Sequence, residues 1–207
     1  MSHALQASLF GETGPAGPRE LAPGRTELGQ GAWVDVQPGW FGGSDELFAT
    51  LAADVPWQAE RRQMYDRVVD VPRLLCFYRE DAPLPHPALR EAREALSAYY
   101  AKELREPFRT AGLCYYRDGR DSVAWHGDNL GRGATVDTMV AIVSVGAARQ
   151  LALRPRGGGE AVRYALGHGD LIVMGGSCQR TWEHAIPKTA KPVGPRISIQ
   201  FRPRGVR

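Results

Sequence analysis

Pro195-Arg196-Ile197-Ser198-Ile199-Gln200-Phe201-Arg202 alternates polar and apolar side chains from end to end. A period of two belongs to a strand, because successive side chains leave it on opposite faces. Ile197, Ile199 and Phe201 then face a core, while Arg196, Ser198, Gln200 and Arg202 share the other face. If that second face also points inward, its arginines need an anion, since a buried unpaired guanidinium is costly. A dicarboxylate fits, with one arginine gripping a carboxylate through two parallel hydrogen bonds. Taken alone, the run also suits an exposed edge strand with solvated arginines.

The same texture extends upstream as far as Pro107. Short β-type runs are expected at Ala111 to Tyr116, Met139 to Val145, Gln150 to Arg154, Leu171 to Met174 and His184 to Ile186. Turn residues such as Gly157-Gly158-Gly159 and Gly167-His168-Gly169-Asp170 separate them. Short, closely spaced strands with glycine turns suggest a sandwich or jelly roll. Two helices are expected before this β half. Ser44 can cap the first, with Asp45 and Glu46 in its opening turn and Pro56 at its end. The second runs from about Pro87 to Leu104, with Leu89, Ala92 and Leu96 on one apolar face. Ala32-Trp33-Val34-Asp35-Val36 reads as a strand. Residues 1 to 30, rich in glycine and proline, read as a flexible N-terminal arm before a single domain over 31 to 207.

Bulk properties narrow the choice little. A chain of 207 residues, 43% of them hydrophobic, suffices for one well-filled domain. A net charge of +3 permits a polyanionic partner without demanding one. Three cysteines, Cys76, Cys114 and Cys178, form neither a disulfide framework nor a CxxC zinc pair. A reducing, cytoplasmic setting is expected, since the first residues lack the pattern of a secretory leader. No apolar stretch reaches membrane-spanning length, so no membrane role is expected, and nothing requires more than a monomer.

Ala124-Trp125-His126-Gly127-Asp128-Asn129 contains His-x-Asp. In an extended segment, His126 and Asp128 aim an imidazole and a carboxylate at one point. The pair alone arises often by chance. His184, in Trp182-Glu183-His184-Ala185-Ile186-Pro187, supplies a third ligand from the far side of the β half. Two histidines and a carboxylate suit one face of non-haem Fe(II), leaving positions open for O2 and a co-substrate. His3, His86 and His168 read as surface histidines.

Arg61, Arg62, Met64, Tyr65 and Arg67 cluster in Glu60-Arg-Arg-Gln-Met-Tyr-Asp-Arg67. Arginines interleaved with an aromatic can bind phosphates and stack on a base, though a solvated turn explains them equally well. Trp125, next to His126, is expected to pack beside the site on the substrate side, or equally to be a plain core residue. Arg149, after a small-residue turn, reaches either substrate or backbone.

Together these segments resemble the AlkB-like nucleic-acid dealkylases of the Fe(II)/2-oxoglutarate dioxygenases. The resemblance spans roughly residues 57 to 203. It rests on Tyr116 to Asp128, Ile142 to Arg149, Gly169 to Met174, Trp182 to Lys188 and the Pro195 to Arg202 run, with Val71-Pro-Arg73 upstream. It implies an α+β fold, a double-stranded β-helix (jelly roll) flanked by N-terminal helices, carrying iron at His126, Asp128 and His184. It implies that Arg196, helped by Tyr116, binds the distal carboxylate of 2-oxoglutarate and that Arg202 supports the proximal end. It further implies oxidative repair of N-alkylated bases in DNA or RNA, with aldehyde release, and a substrate lid around residues 61 to 67. Cys114 and Ser198 stand where the family often has asparagine beside 2-oxoglutarate, and Asn129 replaces an acidic residue that faces substrate in some relatives. A hydroxylase of a protein or small molecule, or a non-catalytic nucleic-acid binder, would keep much of the same pattern.

Overall fold

The computed structural model describes residues 14–64, 67–129 and 131–206, and of residues 61–64 and 67–70 only the backbone path. In chain order the elements are β1 (Gly17–Pro18), β2 (Gly24–Gly29), β3 (Ala32–Gln37), β4 (Phe41–Gly42), α1 (Ser44–Asp54), β5 (Gln58–Met64), β6 (Arg67–Tyr78), α2 (Pro87–Tyr99) and α3 (Ala101–Leu104). There follow β7 (Thr110–Tyr116), β8 (Val123–His126), β9 (Val140–Gly146), β10 (Arg149–Pro155), β11 (Val162–Leu166), β12 (Asp170–Gly176), α4 (Cys178–Thr181), β13 (Trp182–Ile186) and β14 (Arg196–Arg202).

The strands build a major sheet in the order β2-β3-β12-β9-β14-β7-β6-β5 and a minor sheet in the order β11-β10-β13-β8. Neighbours within both sheets run antiparallel. The major sheet is covered on both faces, which is why β9 reads as an apolar run broken only by Ser144. Ala141, Val143 and Val145 of β9, with Ile197, Ile199 and Phe201 of β14, pack toward Leu47, Phe48 and Leu51 of α1 and Leu89, Ala92 and Leu96 of α2. Val140 and Ile142, with Ile172 and Met174 of β12, pack toward Leu151, Leu153, Leu166, Trp182 and Ile186 of the minor sheet. Two facing antiparallel sheets with helices outside the larger one make the expected double-stranded β-helix, α+β in class.

The strand expectations hold within a residue or two, and four differences have physical causes. The arm expected over residues 1 to 30 already contains paired strand, since β2 lies along β3 and β1 along β4. Most of β2 is exposed, so no apolar alternation marks it in the sequence. The β5–β6 hairpin was not legible either. Pro72 sits where the ladder shifts register between Ala59 and Arg61, an irregularity that accommodates a residue without an N–H. Ser44 does not cap α1. Gly43 holds that position with φ 61°, and the Ser44 hydroxyl donates to the Phe41 carbonyl at 2.7 Å. The second helix breaks at Tyr100 into α2 and α3, and its cap is His86, which accepts from the Ala88 N–H at 3.2 Å.

Candidate active site

β8 and β13 pair so that His126 lies directly opposite His184. Their ring centroids are 4.2 Å apart. Asp128, just past the end of β8, completes a group whose ligand atoms all lie within 4.8 Å of one another. That is close to what one ion spans at metal–ligand bonds of about 2.1 Å.

The protonation states suit a metal. The Nδ1 of His126 lies 2.8 Å from the Ala124 carbonyl, which can only accept, so Nδ1 carries a proton and Nε2 is the nitrogen left to ligate a metal. Burial, reinforced by neighbouring His126, pushes His184 down to about 3, so its ring is neutral. Burial raises the Asp128 carboxyl, but the charge and hydrogen bond of Arg202 outweigh it, and the group is held at about 2. Arg202 donates from Nε to Asp128 Oδ2 at 2.8 Å, and the Asp128 N–H donates to Gln179 Oε1 at 2.9 Å. Two imidazoles and one ionised carboxylate fit Fe(II). With no cysteine among them, they do not suit the sulfur-rich structural zinc sites.

Facing this group is the inner surface of the major sheet. On β14, Arg196 pairs with Tyr116 of β7, and Ser198 with Cys114 of β7 and Ser144 of β9. Arg196, Ser198 and Gln200 are buried. The polar row of the sequence therefore points inward, and the solvated-edge alternative falls. Arg196 donates from Nε to Ser144 Oγ at 2.8 Å, and its guanidinium lies 5.3 Å from the Tyr116 ring. Its Nη1 is buried with no partner. No ion pair neutralises it among the described residues, and burial lowers its pKa. Such an orphaned cation is what a co-substrate carboxylate would complete. Ser198 accepts from Gln200 Nε2, and Cys114 Sγ donates to Gln200 Oε1 at 3.7 Å.

Other expected site residues go elsewhere. Arg149 is not an open substrate contact. It is buried and donates to the carbonyls of Asp118, Asp121 and Pro187 at 3.0, 2.8 and 2.9 Å. Trp125 does not face the metal. As the residue next to His126 in β8, Trp125 takes the opposite face of the strand, under the Arg154 guanidinium at 4.2 Å. The Asn129 amide, oriented to satisfy both neighbours, donates to the Gly127 carbonyl at 2.8 Å and accepts from Arg156 at 3.2 Å. Tyr65 and the side chains of Arg61, Arg62, Met64 and Arg67 lie outside the described residues. Sequence reasoning missed Ser144 and Gln179. Ser144 carried a signal, being the polar member of an apolar strand in phase with Val140 and Ile142. A surface groove of about 400 Å³, lined by Val71, Pro72, Arg117, Asp118, Arg120, Asp121 and Lys188, includes none of the metal triad.

Comparison with known proteins agrees with this geometry. The pattern of the 2OG-Fe(II) oxygenase superfamily matches residues 43–202. The chain is 30% identical over 190 residues to bovine "Alpha-ketoglutarate-dependent dioxygenase alkB homolog 3" (Bos taurus), a match covering 78% of this chain and 64% of that protein. It is 27% identical over 182 residues to bovine "DNA oxidative demethylase ALKBH2", covering 77% and 64%. It thus spans a little under two thirds of either relative. Among solved structures, a prolyl hydroxylase from Trichoplax adhaerens, in complex with a hypoxia inducible factor peptide, superposes with TM-score 0.58 at 11% identity, over 82% of this chain and 83% of that one. At that identity the likeness concerns the fold alone.

Proposed function

Because this chain belongs to the 2OG-Fe(II) oxygenase superfamily, we propose that it hydroxylates N-alkyl groups on nucleobases of DNA or RNA, which then leave as aldehydes and restore the base. The observation that carries the oxygenase half is the buried His126–Asp128–His184 group set against the unpaired Arg196 guanidinium. The nucleic-acid half rests on likeness to proteins named as AlkB homolog 3 and a DNA oxidative demethylase. A cytoplasmic monomer fits three cysteines that are all free. Among the described residues, no helix is long and apolar enough to cross a membrane.

His126 Nε2, His184 and the Asp128 carboxylate would hold iron. Arg196 would take the distal carboxylate of 2-oxoglutarate, with the Tyr116 phenol beside it. Once iron, 2-oxoglutarate and O2 are bound, they supply the oxidising chemistry that puts a hydroxyl on the alkyl carbon. The chain's residues position and insulate. Arg202 fixes the Asp128 carboxylate, and the Ala124 carbonyl sets the His126 tautomer. Ser144 orients the Arg196 fork. Trp182, Leu153 and Ile186 exclude water around His184. A base stacked inside a duplex cannot reach a site this enclosed, so the target is single-stranded or flipped out.

The test is incubation of methylated DNA and RNA oligonucleotides with the protein, iron, 2-oxoglutarate and ascorbate. Loss of the methyl mass is expected in at least one. Succinate formation without methyl loss from any oligonucleotide would point to a protein or small-molecule hydroxylase. Binding without any succinate would point to a non-catalytic relative.

A further inference from the structure

The cationic lining of the co-substrate pocket does not end with Arg196. Arg73 lies on β6 one residue before Leu74, whose partner on β7 is Tyr115, so Arg73 comes alongside Tyr116. Leu74, Cys76 and Tyr78 pair with Tyr115, Leu113 and Ala111 on the helix side of the sheet. By strand alternation Arg73 therefore faces inward with Tyr116 and Arg196. One nitrogen, Nη1, donates to the Ser122 carbonyl at 3.1 Å. Its Nε is buried and has no partner. The fully buried Tyr116 phenol feels Arg196 and Arg73 together, with Arg149 a weaker third. Arg149 is already committed to three carbonyls. Arg73 and Arg196 therefore each keep an unused N–H in the same buried surround. Among the described residues neither makes an ion pair with an acidic side chain.

We propose that Arg73 is a second cationic anchor for the distal carboxylate of 2-oxoglutarate, acting with Arg196 across Tyr116. This rests on the reading of the site as a 2-oxoglutarate pocket. A buried guanidinium without an anion is costly, and the half-buried Arg73 with its inaccessible Nε adds to that cost, unless an anionic ligand is the intended occupant. A second anchor makes the pocket discriminate strongly between a dicarboxylate and a monocarboxylate oxo acid. Pyruvate has the same keto acid end but no distal carboxylate, so it reports on the metal end alone.

The experiment is calorimetric titration of 2-oxoglutarate, and separately of pyruvate, into Mn(II)-loaded protein without oxygen. In Arg73→Gln, the 2-oxoglutarate Kd is expected to rise tenfold or more while the pyruvate Kd stays within twofold. Arg73→Lys keeps the charge but loses the fork, and is expected to weaken 2-oxoglutarate by about threefold to fivefold, again sparing pyruvate. Should Arg73→Gln fail to fold because Ser122 loses its donor, the lysine variant decides alone. An unchanged 2-oxoglutarate Kd, or equal weakening of both ligands, would overturn the inference. Weakened oligonucleotide binding with unchanged 2-oxoglutarate binding would overturn it too, assigning Arg73 to substrate. If wild-type protein binds no 2-oxoglutarate, it is the pocket reading that fails, a different result from wild-type binding that the Arg73 variants retain.

Discussion

Asp128 is nearly inaccessible, and its carboxylate survives there because Arg202 lies 2.8 Å away. Removing one member of a buried pair leaves the other uncompensated, typically at a cost of about 3–5 kcal/mol. Arg202→Met is therefore expected to lower the melting temperature of metal-free protein markedly, and added Mn(II) to recover part of the loss. Full stability without metal would show that the pair does not support Asp128. Asp128 and His184 set a pH dependence. Asp128 has a depressed folded value near 2 against an ordinary 3.8, so its contribution is present above about 4 and lost as pH falls toward 2. His184 falls from 6.5 to about 3, so between those values the unfolded chain binds the extra proton and stability rises with pH. Thermal melts of metal-free protein are thus expected to lose stability steadily as pH drops from 6.5 to 3. A flat profile over that window would mean His184 is not held neutral by burial.

At the scale of the strands, the site depends on which faces meet. Gly112 of β7 shows this. A Cβ there would lie 2.9 Å from Arg202 Nη1 and 3.2 Å from Gln200 Oε1, so the glycine leaves room for Arg202 to cross toward Asp128. Gly112→Ala is expected to weaken Mn(II) binding severalfold while shifting the melting temperature by only a few degrees. Unaltered metal affinity would show that Arg202 can yield without releasing Asp128. Trp125→Ala, on the outer face of β8, is expected to leave both metal and 2-oxoglutarate affinity unchanged in titration. These two residues also mark what could be read in advance. His-x-Asp and the Arg196 to Arg202 row were legible because each depends on the two-residue period of one strand. Trp125 was misplaced although the same two-residue period turns the neighbour of His126 to the other face of β8. Ser144 meets Arg196 through the register of β9 against β14, and Gln179 meets Asp128 from α4, a contact between segments far apart in the chain. Arg149 is the converse case, a lone arginine whose burial against three carbonyls no local pattern announces.

The whole molecule is two facing sheets in which the larger carries the core on both sides. Ile199 of β14 is fully buried between that sheet and the helices, with β7 and β9 on either flank. Ile199→Ala is expected to cost about 2–5 kcal/mol of folding stability, read by denaturant unfolding, without touching the inner polar row. The jelly roll was legible from strand spacing, whereas β2 was not, because a mostly exposed strand carries no apolar period. The sheets bring an iron face and a cationic pocket together, and the most direct test asks whether both act in one reaction. Succinate and demethylated base should be counted together during turnover of a methylated oligonucleotide by wild-type protein and by Arg196→Met. Expected are equal amounts of the two products from wild-type protein, and loss of both in the variant at 2-oxoglutarate concentrations that saturate wild-type protein. Demethylation that proceeds without 2-oxoglutarate, or no demethylation while succinate accumulates, would contradict it.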